Sequence, residues 1–439
     1  MLNRLMYFWP SVEILFFKGM AMLMSFYSIK LISERLSSEQ LGLWLTILSV
    51  TSWLSLSDAG ITNALRNKLS QSLARGELLK AKELVSSSYF YFFCFLSLLM
   101  FVFFVGGSFV DLNFIFNVDW SENLDSTVAF AICAVVVNVY FLLNSAVFFA
   151  LDKASFDAKR TFLFQFLFVV FCYILSGDIF YYNSSDALLY CSFFYFLSAV
   201  ISNIIGYFYL YKSESKLRPN FSDCSYSVFK SLYGVGIKFL LLQISAVLLY
   251  STDAFLIAHL FDISSVTYFN LTNKIFFIFI FVQGALLSPM WSRYTFFYEQ
   301  GEKGKLIKQL YISFSISFAL VLLMTGIISY IGDILNFWLD TEMEMQKEVI
   351  FGVFLLTTTR IWCSNFSTLL NGLGDLKAQL YSSFFAIFIN VPLSIILVKW
   401  YDFGVEGVAY GSVMALLLFA IIGPVRAYKC ILNITNVKS

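Results

Sequence analysis

Lysine and arginine residues of this chain collect in alternate gaps between its long apolar runs. They are Arg66, Lys68, Arg75, Lys80 and Lys82, then Lys153, Lys159 and Arg160, then Lys212, Lys216, Arg218 and Lys230, then Arg293, Lys303, Lys305 and Lys308, and finally Lys377. The other gaps are mostly acidic, and the two longest include Asp119 and Glu342. Basic residues next to membrane spans stay on the cytoplasmic side. The alternation therefore predicts an inner-membrane protein with several spans and both termini in the cytoplasm.

The composition agrees with a membrane-embedded chain. Of 439 residues, 59% are hydrophobic and only 13% are charged, against roughly 25% charged residues in soluble domains. The mean hydropathy is +0.78. The formal net charge of +1 averages a basic face and an acidic face, so it gives no reason to expect nucleic acid as a partner.

About twelve runs are long enough to cross the hydrocarbon layer, which takes about 20 apolar residues. The predicted spans are approximately 11–33, 42–65, 84–109, 127–151, 161–177, 187–211, 231–258, 266–291, 309–331, 349–371, 379–400 and 407–427. We therefore predict an all-α polytopic membrane protein with a six-helix bundle at 1–215, a cytoplasmic linker at 216–230 and a second bundle at 231–439.

The two halves resemble each other when the sequence is shifted by 225 positions. The shift lays the Gly76-Glu77 pair on Gly301-Glu302 and also aligns spans one to three with spans seven to nine. It places Asp58 on Gln283 as well. Transporters built from parallel repeats have two such halves of the same orientation. A cavity between the halves is expected.

Charged side chains inside the predicted spans are the candidate site residues, because each costs roughly 2.5–3.5 kcal/mol to insert. The cations are Lys18, Lys30, Lys238, Lys274 and Arg360, and the anions are Glu13, Asp58 and Asp253. Surplus positive charge suits an anionic cargo, and phosphate is a frequent ligand of lysine and arginine. We predict that the cations bind substrate and that the anions serve ion coupling.

A plainer interpretation exists for several of these residues. Glu13 and Lys30 lie near helix ends, where long side chains reach the interface. Asp58 could be a helix-end residue, and Asp253 could neutralise Lys30 or Lys274 across the two halves. Lys18 and Arg360 lie near the middle of their spans, where this explanation is harder to apply.

Motifs for other chemistry are missing from the sequence. There is no GxxxxGK[ST] nucleotide loop, no GxSxG elbow, no HExxH metal motif and no CxxC pair. We therefore expect no enzyme activity, no metal and no cofactor, with Na⁺ or H⁺ as a possible coupling ion. A secondary transporter is the favoured class.

Four segments resemble polysaccharide flippases of the Wzx type. They are LGLW at 41–44, SDAGITNALR at 57–66, STDAFLI at 251–257 and NGLGDLK at 371–377. The first is similar to an entry motif with an aromatic residue where Leu41 stands. The last is similar to a helix-ten exit motif in which lysine usually takes the place of Asp375. These flippases are members of the multidrug, oligosaccharidyl-lipid and polysaccharide (MOP) transporter superfamily.

The resemblance implies a fold like that of the multidrug transporters called MATE, with two six-helix bundles around a central cavity. It also implies an undecaprenyl-pyrophosphate-linked oligosaccharide as cargo, an O-antigen or capsule repeat unit carried from the cytoplasmic to the periplasmic leaflet by alternating access. Membrane lipids, and a polymerase and chain-length regulator of the glycan pathway, would be its partners.

Three alternatives remain open at this stage. A multidrug antiporter of the same superfamily would carry cationic drugs and would need an acidic cavity. An O-antigen polymerase, a membrane glycosyltransferase, would need a long basic outer loop, whereas the outer gaps here are short and acidic. A scaffold for glycan-assembly enzymes would leave the buried charges without a purpose.

The charge pattern predicts which loops face the cytoplasm. Cysteines introduced at Arg75, Lys216 and Lys305, in a background without native cysteines, should resist a membrane-impermeant thiol reagent in cells with a permeabilised outer membrane. Cysteines at Asp119 and Glu342 should react. Labelling at Lys305 without labelling at Glu342 contradicts the predicted topology.

Overall fold

The computed structural model describes residues 2–33, 36, 38–52, 54, 58, 60–107, 123–176, 186–261, 263–339 and 346–434. Within these ranges the chain forms α-helices and short 3₁₀ turns, and it forms no strand. The α-helices, numbered here in order, are α1 Leu2–Ser33, α2 Ser38–Ser52, α3 Ile61–Ala74, α4 Leu78–Gly107, α5 Leu124–Tyr140, α6 Leu142–Ala150, α7 Ala154–Ser176, α8 Ala187–Ser213, α9 Tyr226–Leu260, α10 Ile263–Glu299, α11 Lys303–Ile327, α12 Ile331–Leu339, α13 Lys347–Leu373, α14 Lys377–Trp400 and α15 Glu406–Leu432. Asp119 and Glu342 lie outside the described residues.

Eleven helical segments among the described residues are long and apolar enough to cross a membrane. The predicted all-α, multi-pass architecture is confirmed. The second predicted span, at 42–65, is not one helix: α2 ends at Ser52 and α3 begins at Ile61. Gly60 precedes α3 with φ 69°, a left-handed conformation that glycine adopts without a steric cost. The sequence pattern predicted one continuous helix here, and the structure instead has two helices, α2 and α3.

The chain divides into two compact units, Met1–Ile237 and Lys238–Ser439. The division falls inside the long helix α9, which begins at Tyr226. The segment predicted as a linker, 216–230, lies in the first unit, where it contains a 3₁₀ turn at Phe221–Asp223 and the start of α9.

Each unit has its own apolar core. In the first unit α1 packs along α7, α5 along α8, and α3 against α6. In the second, α15 packs on both α13 and α14. Gly411 of α15 lies so close to Ser394 of α14 that a Cβ atom would overlap its hydroxyl. A small residue is needed there because close helix packing, rather than the hydrophobic effect, holds helices together in lipid.

The sequence repeat has a counterpart in backbone geometry. Gly76 has φ 73°, and Gly301, 225 positions later, has φ 69°. The backbone N–H groups of Glu77 and Glu302 each donate to the carbonyl five residues earlier at 2.9 Å. Each glutamate also pairs with the lysine three positions later, at 3.1 and 2.7 Å. The same turn thus precedes α4 in the first unit and α11 in the second.

A second turn recurs before α7 and α14 and explains an unusual residue. Asp152 has φ 57° and Gly374, 222 positions later, has φ 74°. In the first unit the following residue, Lys153, pairs with Glu214 at 2.6 Å. In the second unit Asp375 stands at that position and pairs with Arg426 at 2.5 Å. Asp375 of the NGLGDLK motif therefore forms an ion pair in which the positions of the acidic and basic residues are exchanged relative to the Lys153–Glu214 pair.

Candidate functional sites in the two units

Asp253 on α9 lies at the centre of a buried polar cluster in the second unit. Its side chain is only 1% exposed. The Oδ1 atom accepts a hydrogen bond from Ser412 Oγ at 2.6 Å and another from Asn390 Nδ2 at 3.4 Å. The same amide group of Asn390 donates to Thr252 Oγ1 at 3.2 Å. Three helices, α9, α14 and α15, thus converge on one carboxylate.

A cation from a fourth helix approaches the same carboxylate. Arg360, half-way along α13, places a guanidinium nitrogen 3.9 Å from Asp253 Oδ2. The Arg360 side chain is 12% exposed. Lys30 and Lys274 were the predicted partners of Asp253, and the structure gives it a different cation. Two of the predicted site residues, Asp253 and Arg360, are therefore brought together.

One carboxylate oxygen of the Asp253–Arg360 ion pair lacks a close hydrogen bond. Asp253 Oδ2 is buried and accepts no hydrogen bond from the residues that the structure describes. A buried oxygen without a donor loses the hydration energy of that group, about 1–3 kcal/mol. A proton or a cation would supply the missing partner, and the nearby oxygens of Asn390, Ser412 and Thr252 are the ligand type that hard cations prefer.

Lys18 is a partly buried cation in the first unit, as Arg360 is in the second. It lies about a third of the way along the candidate membrane-spanning part of α1, Val12–Ile32. It interacts electrostatically with the Asp157 carboxylate of α7 and with the guanidinium of Arg66 on α3. Arg66 is itself buried, with its guanidinium carbon 4.3 Å from the centre of the Phe149 ring. Two cations therefore share the field of one carboxylate.

Asp157 is held tightly, in contrast to Asp253. Its Oδ1 atom accepts hydrogen bonds from Ser145 Oγ at 2.6 Å and from Arg160 at 3.0 Å. Arg160 also donates to Asn203 Oδ1 at 2.6 Å, and Asn203 donates to Asn138 Oδ1 at 2.8 Å. The network connects α5, α6, α7 and α8, so it fixes the position of the charges around Lys18.

Glu13, predicted as an ion-coupling residue, is paired in the structure. Its Oε1 atom lies 2.6 Å from Lys159 Nζ on α7. The ammonium group of Lys159 also lies 5.4 Å from the centre of the Phe17 ring and 4.9 Å from that of Phe156. Both charged side chains are about a third exposed, so the pair lies at the edge of the helix packing.

Asp58, the third predicted anion, stabilises the break between α2 and α3. Its Oδ1 atom accepts a hydrogen bond from the backbone N–H of Gly60 at 2.9 Å. This arrangement is a local turn of the kind that aspartate often forms. The contact gives Asp58 a structural role at the start of α3, and its role in ion coupling stays a prediction.

The remaining predicted cations lie on the surfaces of their own units. Lys30 on α1, Lys238 on α9 and Lys274 on α10 are all exposed. Among the five predicted cations, Lys18 and Arg360 are the two that are partly buried. For these same two residues, the sequence made it least easy to explain the charge by a long side chain that extends to the membrane interface.

The charged residues around Lys18 were not among the predicted site residues. Arg66 and Arg160 were assigned to cytoplasmic loops, and Asp157 was not considered. The signal that was available is the spacing of Asp157 and Arg160, three positions apart at the start of an apolar run. Residues three apart share a helix face, so an internal ion pair was predictable there.

Comparison with solved structures identifies the architecture. The chain superposes on a Vibrio cholerae MATE transporter in its bent form with a TM-score of 0.77 and 14% identity, covering 97% of this chain and 96% of that one. The fold is that of the MATE transporters. An outward-facing multidrug resistance MATE transporter of the MOP superfamily gives a TM-score of 0.77 at 14% identity, covering 98% and 96%. A MOP-superfamily transporter from Pyrococcus furiosus, described as having a binding pocket of reverse polarity, gives 0.76 at 14%, covering 97% and 95%.

Comparison of sequences finds relatives of similar length. A Salmonella typhi protein named as an O-antigen transporter is 20% identical over 408 residues, which is 89% of this chain and 88% of that protein. A Yersinia pseudotuberculosis protein named as an O-antigen export protein is 20% identical over 415 residues, or 90% and 89%. No family model matches the chain. The predicted resemblance to polysaccharide transporters of the MOP superfamily is confirmed.

The buried network predicts unequal stability effects for two carboxylates. Asp157→Asn should lower the free energy of unfolding by about 3 kcal/mol, because Arg160, with a side chain only 9% exposed, loses its counter-ion. Glu13→Gln should cost less than about 1 kcal/mol, since that pair is partly solvated. Denaturant unfolding of the purified variants in detergent measures both. Equal losses would show that Asp157 is not the anchor of the network.

Proposed function

We propose that this protein is a flippase that carries undecaprenyl-pyrophosphate-linked oligosaccharide, an O-antigen or capsule repeat unit, across the bacterial inner membrane. The cargo moves from the cytoplasmic to the periplasmic leaflet by alternating access, coupled to an ion. Both termini lie in the cytoplasm. The polymerase and chain-length regulator of the glycan pathway are its proposed partners.

One observation carries the proposal: in each unit a partly buried cation on a candidate membrane-spanning helix interacts with a buried carboxylate. In the first unit the residues are Lys18 and Asp157, and in the second they are Arg360 and Asp253. Charged groups are expensive inside membrane spans and mark substrate or ion pathways. Lysine and arginine bind phosphate, and arginine does so in a bidentate geometry.

The related sequences and the fold support the class of protein, a transporter. The relatives with O-antigen names span nearly the whole chain, and the solved structures of the same fold are transporters. These findings support a MOP-superfamily transporter. The identity of the cargo rests on the cations together with the names of the relatives.

Each part of the cargo has a plausible environment. The pyrophosphate needs cations, and Lys18, Arg66 and Arg360 are partly or fully buried cations that could bind it. The polyprenyl chain is apolar and stays in lipid. The sugars are polar with apolar faces, which tyrosine and tryptophan side chains accommodate well. Lys30, Lys238 and Lys274 are exposed on membrane-spanning helices and remain candidate contacts for acidic sugars.

Asp253 is the proposed coupling residue. Its Oδ2 atom lacks a hydrogen-bond donor among the described residues, while Arg360 stands at 3.9 Å. Protonation or Na⁺ binding at Asp253 would release Arg360 to the pyrophosphate, and departure of the ion would draw Arg360 back. The two ligands would then bind with reciprocal coupling, as linkage requires. Glu13 and Asp58 are lesser candidates, because each already has a local partner.

A multidrug antiporter is the second candidate, favoured by the multidrug resistance transporter that shares the fold. Cationic drugs need an acidic binding region. The buried charges here include Arg66 and Arg160 in addition to the predicted cations, which argues for an anionic cargo. Export of a cationic dye by the purified protein, with no glycan phenotype in cells, would favour this alternative.

The first functional prediction concerns Arg360. Arg360→Ala should reduce surface glycan in a flippase-deficient strain by at least about tenfold, the equivalent of roughly 1.4 kcal/mol of lost binding. Arg360→Lys should retain partial activity if charge suffices, and little if bidentate geometry is needed. Lys308→Ala, which removes an exposed cation on α11, should leave output unchanged. Protein level in the membrane is measured alongside.

A double variant tests whether Arg360 binds the cargo or only neutralises the charge of Asp253. Arg360→Ala leaves Asp253 buried without its cation, which destabilises the fold by itself. Asp253→Asn combined with Arg360→Ala removes that problem. If Arg360 binds cargo, the double variant folds but carries less cargo without a gradient than Asp253→Asn alone. Equal transport by the double variant and Asp253→Asn would show that Arg360 only neutralises Asp253.

The second functional prediction concerns ion coupling. In inverted vesicles loaded with a labelled lipid-linked oligosaccharide, transport by wild type should respond to a proton or sodium gradient. Asp253→Asn should abolish that response and leave slow exchange without a gradient. Asp375→Asn, which alters a carboxylate in a partly exposed ion pair, is the control and should keep the response. A response that survives Asp253→Asn would transfer the coupling role to another residue.

A further inference from the structure

An aromatic pocket of about 520 Å³ lies in the first unit, away from the charge clusters described above. Helices α4, α5 and α8 form its walls, and the 219–224 segment between α8 and α9 forms one side. The rings that line it include Phe90, Phe93, Tyr140, Tyr207, Phe208 and Phe221. Its volume is in the range of pockets that hold small ligands or single chains of larger ones.

The pocket lies along membrane-spanning helices. On α4 its lining runs from Ser86 to Phe93, about 12 to 22 Å from the start of that helix at Leu78. Phe93 and Phe208 are 57% and 64% exposed, and both belong to candidate membrane spans. Aromatic side chains exposed on membrane-spanning helices typically contact lipid, so a hydrocarbon chain is the material available to fill the pocket.

The side of the pocket formed by 219–224 is fastened to α4. The backbone N–H of Asn220 donates to Ser86 Oγ at 3.1 Å, and the backbone N–H of Ser225 donates to Ser87 Oγ at 2.9 Å. Lys82 pairs with Asp223 at 2.8 Å. These contacts hold the segment in place beside the rings, so the pocket is a built feature of the fold.

Positive charge flanks this fastened segment. Lys212, Lys216 and Arg218 are exposed in the residues that lead into it. The two acidic residues of the same stretch are engaged elsewhere, Glu214 with Lys153 at 2.6 Å and Asp223 with Lys82. The net charge next to the pocket is therefore positive, which suits an anionic head group at the cytoplasmic membrane surface.

We propose that this pocket binds one acyl chain of an anionic phospholipid, with the lipid phosphate against Lys216 and Arg218. The aromatic walls hold the chain, and the basic residues select the head group. Because 219–224 precedes the helix that passes from the first unit into the second, a bound lipid would brace that segment. None of the residues that line the pocket belongs to the charge clusters proposed to bind the cargo.

Two neighbouring isoleucines on α8 provide a matched test. Ile204 lines the pocket, whereas Ile205 does not, and the two are 41% and 50% exposed. Native mass spectrometry of the purified protein with added phosphatidylglycerol should show bound lipid that survives delipidation. Ile204→Trp, which fills the pocket, should lower that retention by about tenfold, and Ile205→Trp should leave it unchanged. Phosphatidylethanolamine should be retained less than phosphatidylglycerol in wild type.

Removal of the charges of Lys216 and Arg218 tests whether these residues select the anionic head group. Lys216→Gln with Arg218→Gln should bring phosphatidylglycerol retention down to that of phosphatidylethanolamine, while Lys308→Gln should have no effect. If Ile204→Trp does not fold, Phe93→Ala replaces it, with Phe101→Ala as the exposed control on the same helix. Equal retention by the Ile204 and Ile205 variants would overturn the pocket assignment. Preferential retention of undecaprenyl phosphate, lost in Ile204→Trp, would show that the occupant is the polyprenyl carrier and would overturn the phospholipid proposal.

Discussion

The buried carboxylates and the cations they hold are the constraint on which this structure depends. In a chain that is 59% hydrophobic, an ionised group at membrane depth persists only beside a partner. Asp157 meets this requirement with Arg160 and Ser145, and Asp253 meets it in part with Ser412, Asn390 and Arg360. Because these partners come from different helices, each carboxylate also fixes how the helices of its unit pack.

The two units repeat the backbone without repeating the chemistry. The turns at Gly76 and Gly301 have the same φ and the same hydrogen bonds. The turns at Asp152 and Gly374 also match, yet the ion pairs beside them have opposite polarity. A turn depends on which residues tolerate positive φ, whereas an ion pair needs only opposite charges on two helices. The fold is therefore preserved while side chains change.

Fold class and helix positions were predictable from the sequence because apolar length and loop charge are imposed by the membrane itself. The break between α2 and α3 was not, since Asp58 caps a local turn inside an apolar stretch that reads as one span. Arg360 and Asp253 were both identified, but their pairing was not, because it depends on how α9 and α13 pack. The burial of Arg66 was not predicted either, because it depends on how α3 packs in the first unit.

The difference in how the two carboxylates are held points to different roles. Asp157 receives close hydrogen bonds from Ser145 and Arg160, so moving its partners would cost several kcal/mol, the usual penalty for breaking a buried pair. Asp253 keeps Arg360 at 3.9 Å and leaves Oδ2 without a donor among the described residues. An element that changes state during transport needs two arrangements of similar energy. The loosely held pair in the second unit meets that condition, and the tight network in the first unit suits a fixed scaffold for Lys18 and Arg66.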